Sequence, residues 1–245
     1  LGVMADMGSM TATRQDTEFL EWLAEWRRGL PTATLEDPAA TAVVVVDMVN
    51  GFCKTGNLAS DRVGALIPPV VRVLEDAARA GVTRVLVAED THRPNDREFK
   101  AFPPHCIAGS GEEKTVDEIM AVSSASKFEV FPKPTVNISI GTGMDERLAQ
   151  MLDEGVNTFV VIGDCTDLCV YQAATFLRLA ANQKDRDARI IVPATAVDTY
   201  DMSLETARSV GALPHPAELL HEVFLYHMAI LGCEVVADVA WRRSG

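Results

Sequence analysis

Four stretches of this chain carry side chains that can do chemistry, and each begins where an apolar run gives way to polar residues. Asp47 ends the run Thr41-Ala-Val-Val-Val-Val. A carboxylate placed there is poorly solvated, which raises its pKa and suits it to accept a proton. Pairing with nearby backbone N–H groups would instead make it a structural aspartate. Cys169 closes the run Gly163-Asp164-Cys165-Thr166-Asp167-Leu168-Cys169 ahead of a helical pattern. A thiol in the first turn of a helix feels the positive end of the macrodipole, and unpaired N–H groups nearby can hold an oxyanion. Free cysteine is also a common small buried residue, and Cys165 and Thr166 offer helix capping as another use of the polar run. Position alone leaves these readings open.

Lys133 precedes Pro134. Such a lysine is ordinarily solvated, but beside Cys169 its charge would favour the thiolate. The fourth stretch is Asp90-Thr91-His92, with Glu98 and His105 further along the same loop. Alternation along an extended segment puts Asp90 and His92 on one side. Two carboxylates and two imidazoles suit one divalent metal ion, Zn²⁺ first, with Fe²⁺ or Mn²⁺ as alternatives. A polar loop with unrelated histidines is the plainer reading. Cys53, Cys106 and Cys233 are expected to be buried filler, and His215, His221 and His227 surface or core-edge residues.

Apolar periodicity supplies the elements that must position these groups. Strands are expected at Thr41–Asp47, Arg84–Ala88, Lys127–Phe131, Thr158–Ile162, Arg189–Val192 and Glu234–Ala237. Helices are expected at Thr17–Leu30, Asp61–Ala80, Met144–Glu154, Thr166–Asn182, Leu204–Val210 and Glu218–Leu231. Unalternated apolar strands that alternate with helices imply a single-domain, Rossmann-like three-layer α/β/α fold. Its central sheet should be mostly parallel and six-stranded. Ligands in such sheets sit beyond the carboxyl ends of the strands, where Asp47, Asp90, Lys133 and the Gly163–Cys169 turn all fall. The irregular stretch from His92 to His105 is too long for a plain connector and reads as a functional loop. Residues 1–16 read as tag or disordered sequence, and 17–245 as the domain with an accessory N-terminal helix. Phe52, Phe102 and Phe131 are candidates for the walls of a substrate pocket.

Composition removes whole classes of function. The 245 residues carry a net charge of −13, which disfavours binding to nucleic acid or to an anionic membrane surface. No apolar run approaches the roughly 18 residues of a membrane span. The N-terminus lacks the layout of a secretory signal. Five cysteines without framework spacing suggest free thiols in a reducing compartment, and hence a cytoplasmic location.

Taken together, these motifs resemble a known family. They are Val46-Asp47-Met48-Val49-Asn50-Gly51-Phe52, Asp90-Thr91-His92, Phe102-Pro103-Pro104-His105-Cys106, Phe131-Pro132-Lys133-Pro134 and Gly163-Asp164-Cys165-Thr166-Asp167-Leu168-Cys169-Val170. In this order they resemble the isochorismatase-like cysteine hydrolases, and within them the nicotinamidases. The resemblance runs from about Ala42 to the C-terminus. It implies an Asp-Lys-Cys triad of Asp47, Lys133 and Cys169. It implies a non-proline cis peptide between Asp164 and Cys165, and an oxyanion hole built from the N–H groups of Cys165 and Cys169. Asp90, His92 and His105 match the family's metal ligands, and Glu98 fits the place of a completing carboxylate. The implied activity is hydrolysis of a small amide such as nicotinamide through a cysteine thioester. Other small amides or ureides are the alternative, and vinyl-ether cleavage of the isochorismatase kind a more remote one. A homo-oligomer is the family's habit, and the helix bearing Trp22 and Trp26 offers a surface for it. Asp164 departs from the family, where a small apolar residue is usual; a carboxylate there could bias the pocket against anions.

Overall fold

The computed structural model describes residues 13–242. In chain order the strands are β1 (Thr32–Leu35), β2 (Thr41–Val46), β3 (Arg84–Asp90), β4 (Glu129–Lys133), β5 (Thr158–Asp164), β6 (Arg189–Pro193), β7 (Val197–Asp198), β8 (Glu234–Val236) and β9 (Asp238–Trp241). The helices are α1 (Arg14–Arg28), α2 (Asn50–Cys53), α3 (Asp61–Gly64), α4 (Ile67–Ala80), α5 (Asp117–Met120), α6 (Met144–Asp153), α7 (Cys169–Gln183), α8 (Leu204–Val210) and α9 (Ala217–Ile230).

The central sheet runs β4-β3-β2-β5-β6-β8, and every pairing in it is parallel. The six expected strands form this path. A seventh, β7, pairs with β5 at Gly163 and Asp164, beyond the point where β6 has stopped. β2 shows why the sheet is covered on both faces. Val44 and Val46 pack with Phe159, Val161 and Leu177 on one side. Val43 and Val45 pack with Val70, Val73 and Leu74 of α4 on the other. Burying a strand on both faces needs an unbroken apolar run, which is what β2 has.

Two expected elements are placed differently for identifiable reasons. The helix expected over Asp61–Ala80 is two helices, because Pro68 and Pro69 lack the N–H groups a continuous helix requires and instead open α4. The strand expected over Lys127–Phe131 lies two residues later, since Ala125–Lys127 forms a 3-10 turn. β4 holds Pro132 without loss because it is the sheet's edge strand. The short pair β1 and β9 forms a separate two-stranded parallel sheet that the sequence reading did not foresee.

The stretch read as tag or disordered, residues 1–16, lies mostly outside the described residues. Its last part belongs to α1, where Thr13 and Asp16 close a capping box. α1 packs on α9, with Trp22 and Trp26 set edge-on to Tyr226 at centroid distances of 5.5 and 6.0 Å. Among the described residues, no helix is long and apolar enough to cross a membrane.

Candidate active site

The strand order makes neighbours of the four groups that sequence scattered. β4, β3, β2 and β5 lie side by side, and their carboxyl ends deliver Lys133, Asp90, Asp47 and the turn that leads to Cys169. Lys133 is the hub. Its Nζ lies 2.8 Å from Asp47 Oδ2 and 2.8 Å from Asp90 Oδ1, donates to Thr135 O at 2.9 Å, and reaches Cys169 Sγ at 3.5 Å. The Asp47 contact is close but off-axis, and neither Asp47 oxygen is in a well-directed hydrogen bond. Asp47 also takes a positive φ of 52°, a left-handed conformation that aspartate tolerates better than most residues. Gly163 is required where β5 passes β2: its φ is +117°, and a Cβ would sit 2.0 Å from Val46 O.

Burial and charge set the protonation states. Burial raises the Asp47 pKa to about 6, although Lys133 pulls it down while Asp90 pushes it further up. Burial works against the charge on Lys133, yet Asp47, Cys169 and Asp90 hold its pKa well above the ordinary value. Burial acts to raise Asp90, but Lys133 and the two histidines hold it below the ordinary carboxylate range. Cys169 is pushed well up by burial, with Lys133 opposing. The resting state is therefore a thiol, next to a base that ionises near neutral pH and an ammonium that can accept the thiolate's charge.

The loop before α7 differs from its sequence reading. Cys169 is the first residue of the helix, and Leu168 is a cap without a side-chain bond. Neither Cys165 nor Thr166 caps it. Thr166 Oγ1 pairs with His221 Nδ1 at 2.9 Å, and Asp167 bonds His215 Nε2 at 2.7 Å and Thr199 Oγ1 at 2.6 Å. His215 and His221 are thus buried props of this loop rather than surface groups. His227 has the tyrosyl oxygen of Tyr171 as its partner. The Asp164–Cys165 peptide is cis. Neither the Cys165 nor the Cys169 N–H is engaged by a turn or loop carbonyl among the described residues. Cys53, Cys106 and Cys233 are buried, and all five cysteines are free.

Asp90, His92 and His105 place one ligand atom each within 4.8 Å of one another, all buried. Both histidines turn Nε2 toward Asp90 Oδ2, at 3.0 Å each. Their Nδ1 atoms are occupied elsewhere, at Asp96 Oδ2 (3.2 Å) and Pro103 O (2.8 Å). Outer partners on Nδ1 and a shared focus for Nε2 are how metal-binding histidines are oriented. Glu98 stands outside this three-residue group but lines the same cavity. That narrow cavity is also lined by Phe52, Phe102, Asp164, Cys165, Cys169 and Tyr200. Phe131 is absent from the lining and packs against the core behind. Tyr200 has no sequence signal of its own; it enters through the turn after β7 and stacks on His215 at 3.9 Å.

Comparison with known proteins places the fold in a family. Residues 41–215 match the profile of the Isochorismatase domain, and the chain belongs to that family. Nicotinamidase 1 of Arabidopsis thaliana is 29% identical over 222 residues, covering 84% of this chain and 89% of the relative. The crystal structure of N-carbamoylsarcosine amidase from Thermoplasma acidophilum superposes with a TM-score of 0.57 at 26% identity, covering 84% of this chain and 99% of that one. The pyrazinamidase of Pyrococcus horikoshii in complex with zinc gives a TM-score of 0.61 at 20% identity, covering 80% and 98%.

Proposed function

We propose that this chain is a metal-assisted amidohydrolase that releases ammonia from a small carboxamide, with nicotinamide as the leading substrate and nicotinate as product. The observation that carries the reading is Lys133, buried between Asp47 and Cys169 on one edge of the sheet and bonded on its other side to Asp90. Asp47, Asp90 and Cys169 therefore meet at one ammonium, and Cys169, Asp90 and His105 line one cavity. Asp90, His92 and His105 would hold the ion, with Glu98 as a further donor, and their mixed N/O set fits zinc. The bound ion would supply a Lewis-acid anchor for an acceptor atom of the substrate.

The chain's own residues carry the reaction. Asp47 takes the proton from the Cys169 thiol while Lys133 offsets the thiolate's charge. The sulfur attacks the carbonyl carbon, and the N–H groups of Cys165 and Cys169 receive the oxyanion. Asp47 returns the proton to the departing nitrogen as the C–N bond breaks, leaving a thioester and ammonia. Asp47 then takes a proton from water, whose oxygen attacks the thioester. The C–S bond breaks, the acid leaves and the thiol recovers its proton. Phe52 and Phe102 form apolar walls for a flat acyl group.

Hydrolysis of a carbamoyl compound is the second reading, favoured by the likeness to the amidase from Thermoplasma acidophilum. Ammonia release from nicotinamide and a panel of amides and carbamoyl compounds, with and without chelator, separates the two. Chelator-sensitive turnover of nicotinamide is expected. Turnover of carbamoyl compounds alone, indifferent to chelator, would overturn the assignment.

A further inference from the structure

Asp164 is the one carboxyl group of the cavity to which the proposed mechanism gives no task. It ends β5, is fully buried, and lines the same cavity as Phe52 and Cys169. Its Oδ1 accepts from the Cys165 thiol at 3.7 Å. Its Oδ2 is buried and has no hydrogen-bond partner among the described residues. A buried polar atom without a partner is costly, and native structures hold few of them. An apolar side chain at this position would leave no such atom. Burial, reinforced by the charge of Asp47, favours the protonated form. With Oδ1 accepting from Cys165, the proton belongs on Oδ2, which is then a buried donor without an acceptor among the described residues, on a residue that lines the cavity.

We propose that Asp164 is a specificity-determining residue: its Oδ2 hydroxyl donates to an acceptor atom on the acyl group of the substrate. The substrate class is then an uncharged carboxamide bearing a hydrogen-bond acceptor in addition to the atom held at the metal site. This rests on the amidohydrolase reading and refines its substrate: nicotinamide, whose single ring nitrogen the metal site would take, is turned over less well than a carboxamide with a second ring acceptor. A site built to bond a particular group discriminates strongly against an analogue that lacks it, because its own polar atom is then left unpaired.

The test uses two amides that differ by one ring nitrogen, nicotinamide and pyrazinamide. The wild-type protein should favour pyrazinamide in kcat/KM. Asp164→Leu should lower that preference on the order of tenfold, the value of one hydrogen bond. Asp164→Asn, neutral and still a donor, should retain it. A preference unchanged in Asp164→Leu overturns the proposal. A second measurement needs no turnover. In Cys169→Ala, the infrared band of the protonated Asp164 carboxyl, assigned by its loss in the added Asp164→Asn variant, should shift with pyrazinamide and stay in place with nicotinamide. A band that ignores pyrazinamide also overturns the proposal. Failure of the wild type to release ammonia from any amide would instead refute the amidohydrolase reading, and the infrared result would still decide the role of Asp164.

Discussion

Replacing Lys133 with methionine tests the electrostatic design of the site in one step. Methionine preserves much of the volume and removes the ammonium that stands 2.8 Å from both Asp47 and Asp90. Two buried carboxylates then lose their shared cation, and Thr135 O loses a donor. Breaking a buried ion pair from one side costs about 3–5 kcal/mol, and we expect a loss of about 4 kcal/mol at about pH 8. The loss must depend on pH. Asp47 already has its pKa raised to about 6 from an ordinary 3.8, and without Lys133 it moves higher. A carboxyl raised in the folded state holds its proton more tightly there than in the unfolded chain. Stability therefore falls as pH climbs from the unfolded value through the folded one. At about pH 5 the variant's Asp47 is protonated, and the deficit should shrink to roughly half. Urea unfolding of chelator-treated wild type and Lys133→Met at both pH values reads this directly. A variant as stable as wild type, or a deficit equal at both pH values, would refute the reasoning.

Three further outcomes follow from the same geometry. Because Asp47 must be ionised to take the thiol proton, kcat/KM should fall on the acid side with a midpoint near the value of about 6 that burial sets, and Asp47→Asn should abolish turnover at every pH. His105→Ala removes one of three buried ligand atoms, so bound metal measured by elemental analysis should drop by at least about tenfold while the circular dichroism spectrum stays native. Gly163→Ala brings a Cβ against Val46 O at a φ of +117°, and should cost more than about 3 kcal/mol in urea unfolding; wild-type stability would mean that β5 and β2 are not held as close as described.

The parts of this fold that follow from local apolarity were legible in the chain itself. β2 and β5 announce themselves as unbroken apolar runs, and their parallel pairing brings Asp47 beside the Cys169 turn. The pairing of Asp90 with His92 in the buried Asp90-His92-His105 cluster was legible because the two alternate on one extended segment. What local pattern could not reveal depends on partners far along the chain. Thr166 looks like a capping residue until His221 arrives from the C-terminal part, and Asp167 is likewise claimed by His215. Tyr200 reaches the cavity only through the short β7 pairing with β5. Phe131 looked like a pocket wall, but packs against the core instead. The narrow pair β1 and β9 escaped notice because strands of four residues carry too little periodicity to stand out.

The central claim is that Cys169 forms a covalent acyl intermediate, and mass spectrometry of the acid-quenched enzyme tests it most directly. With nicotinamide in excess, a nicotinoyl adduct should appear on the peptide containing Cys169 and be absent from Cys169→Ala, which should also lose ammonia release by at least about a thousandfold. No adduct at any quench time, together with a Cys169→Ala protein that still releases ammonia at the wild-type rate, would contradict the account.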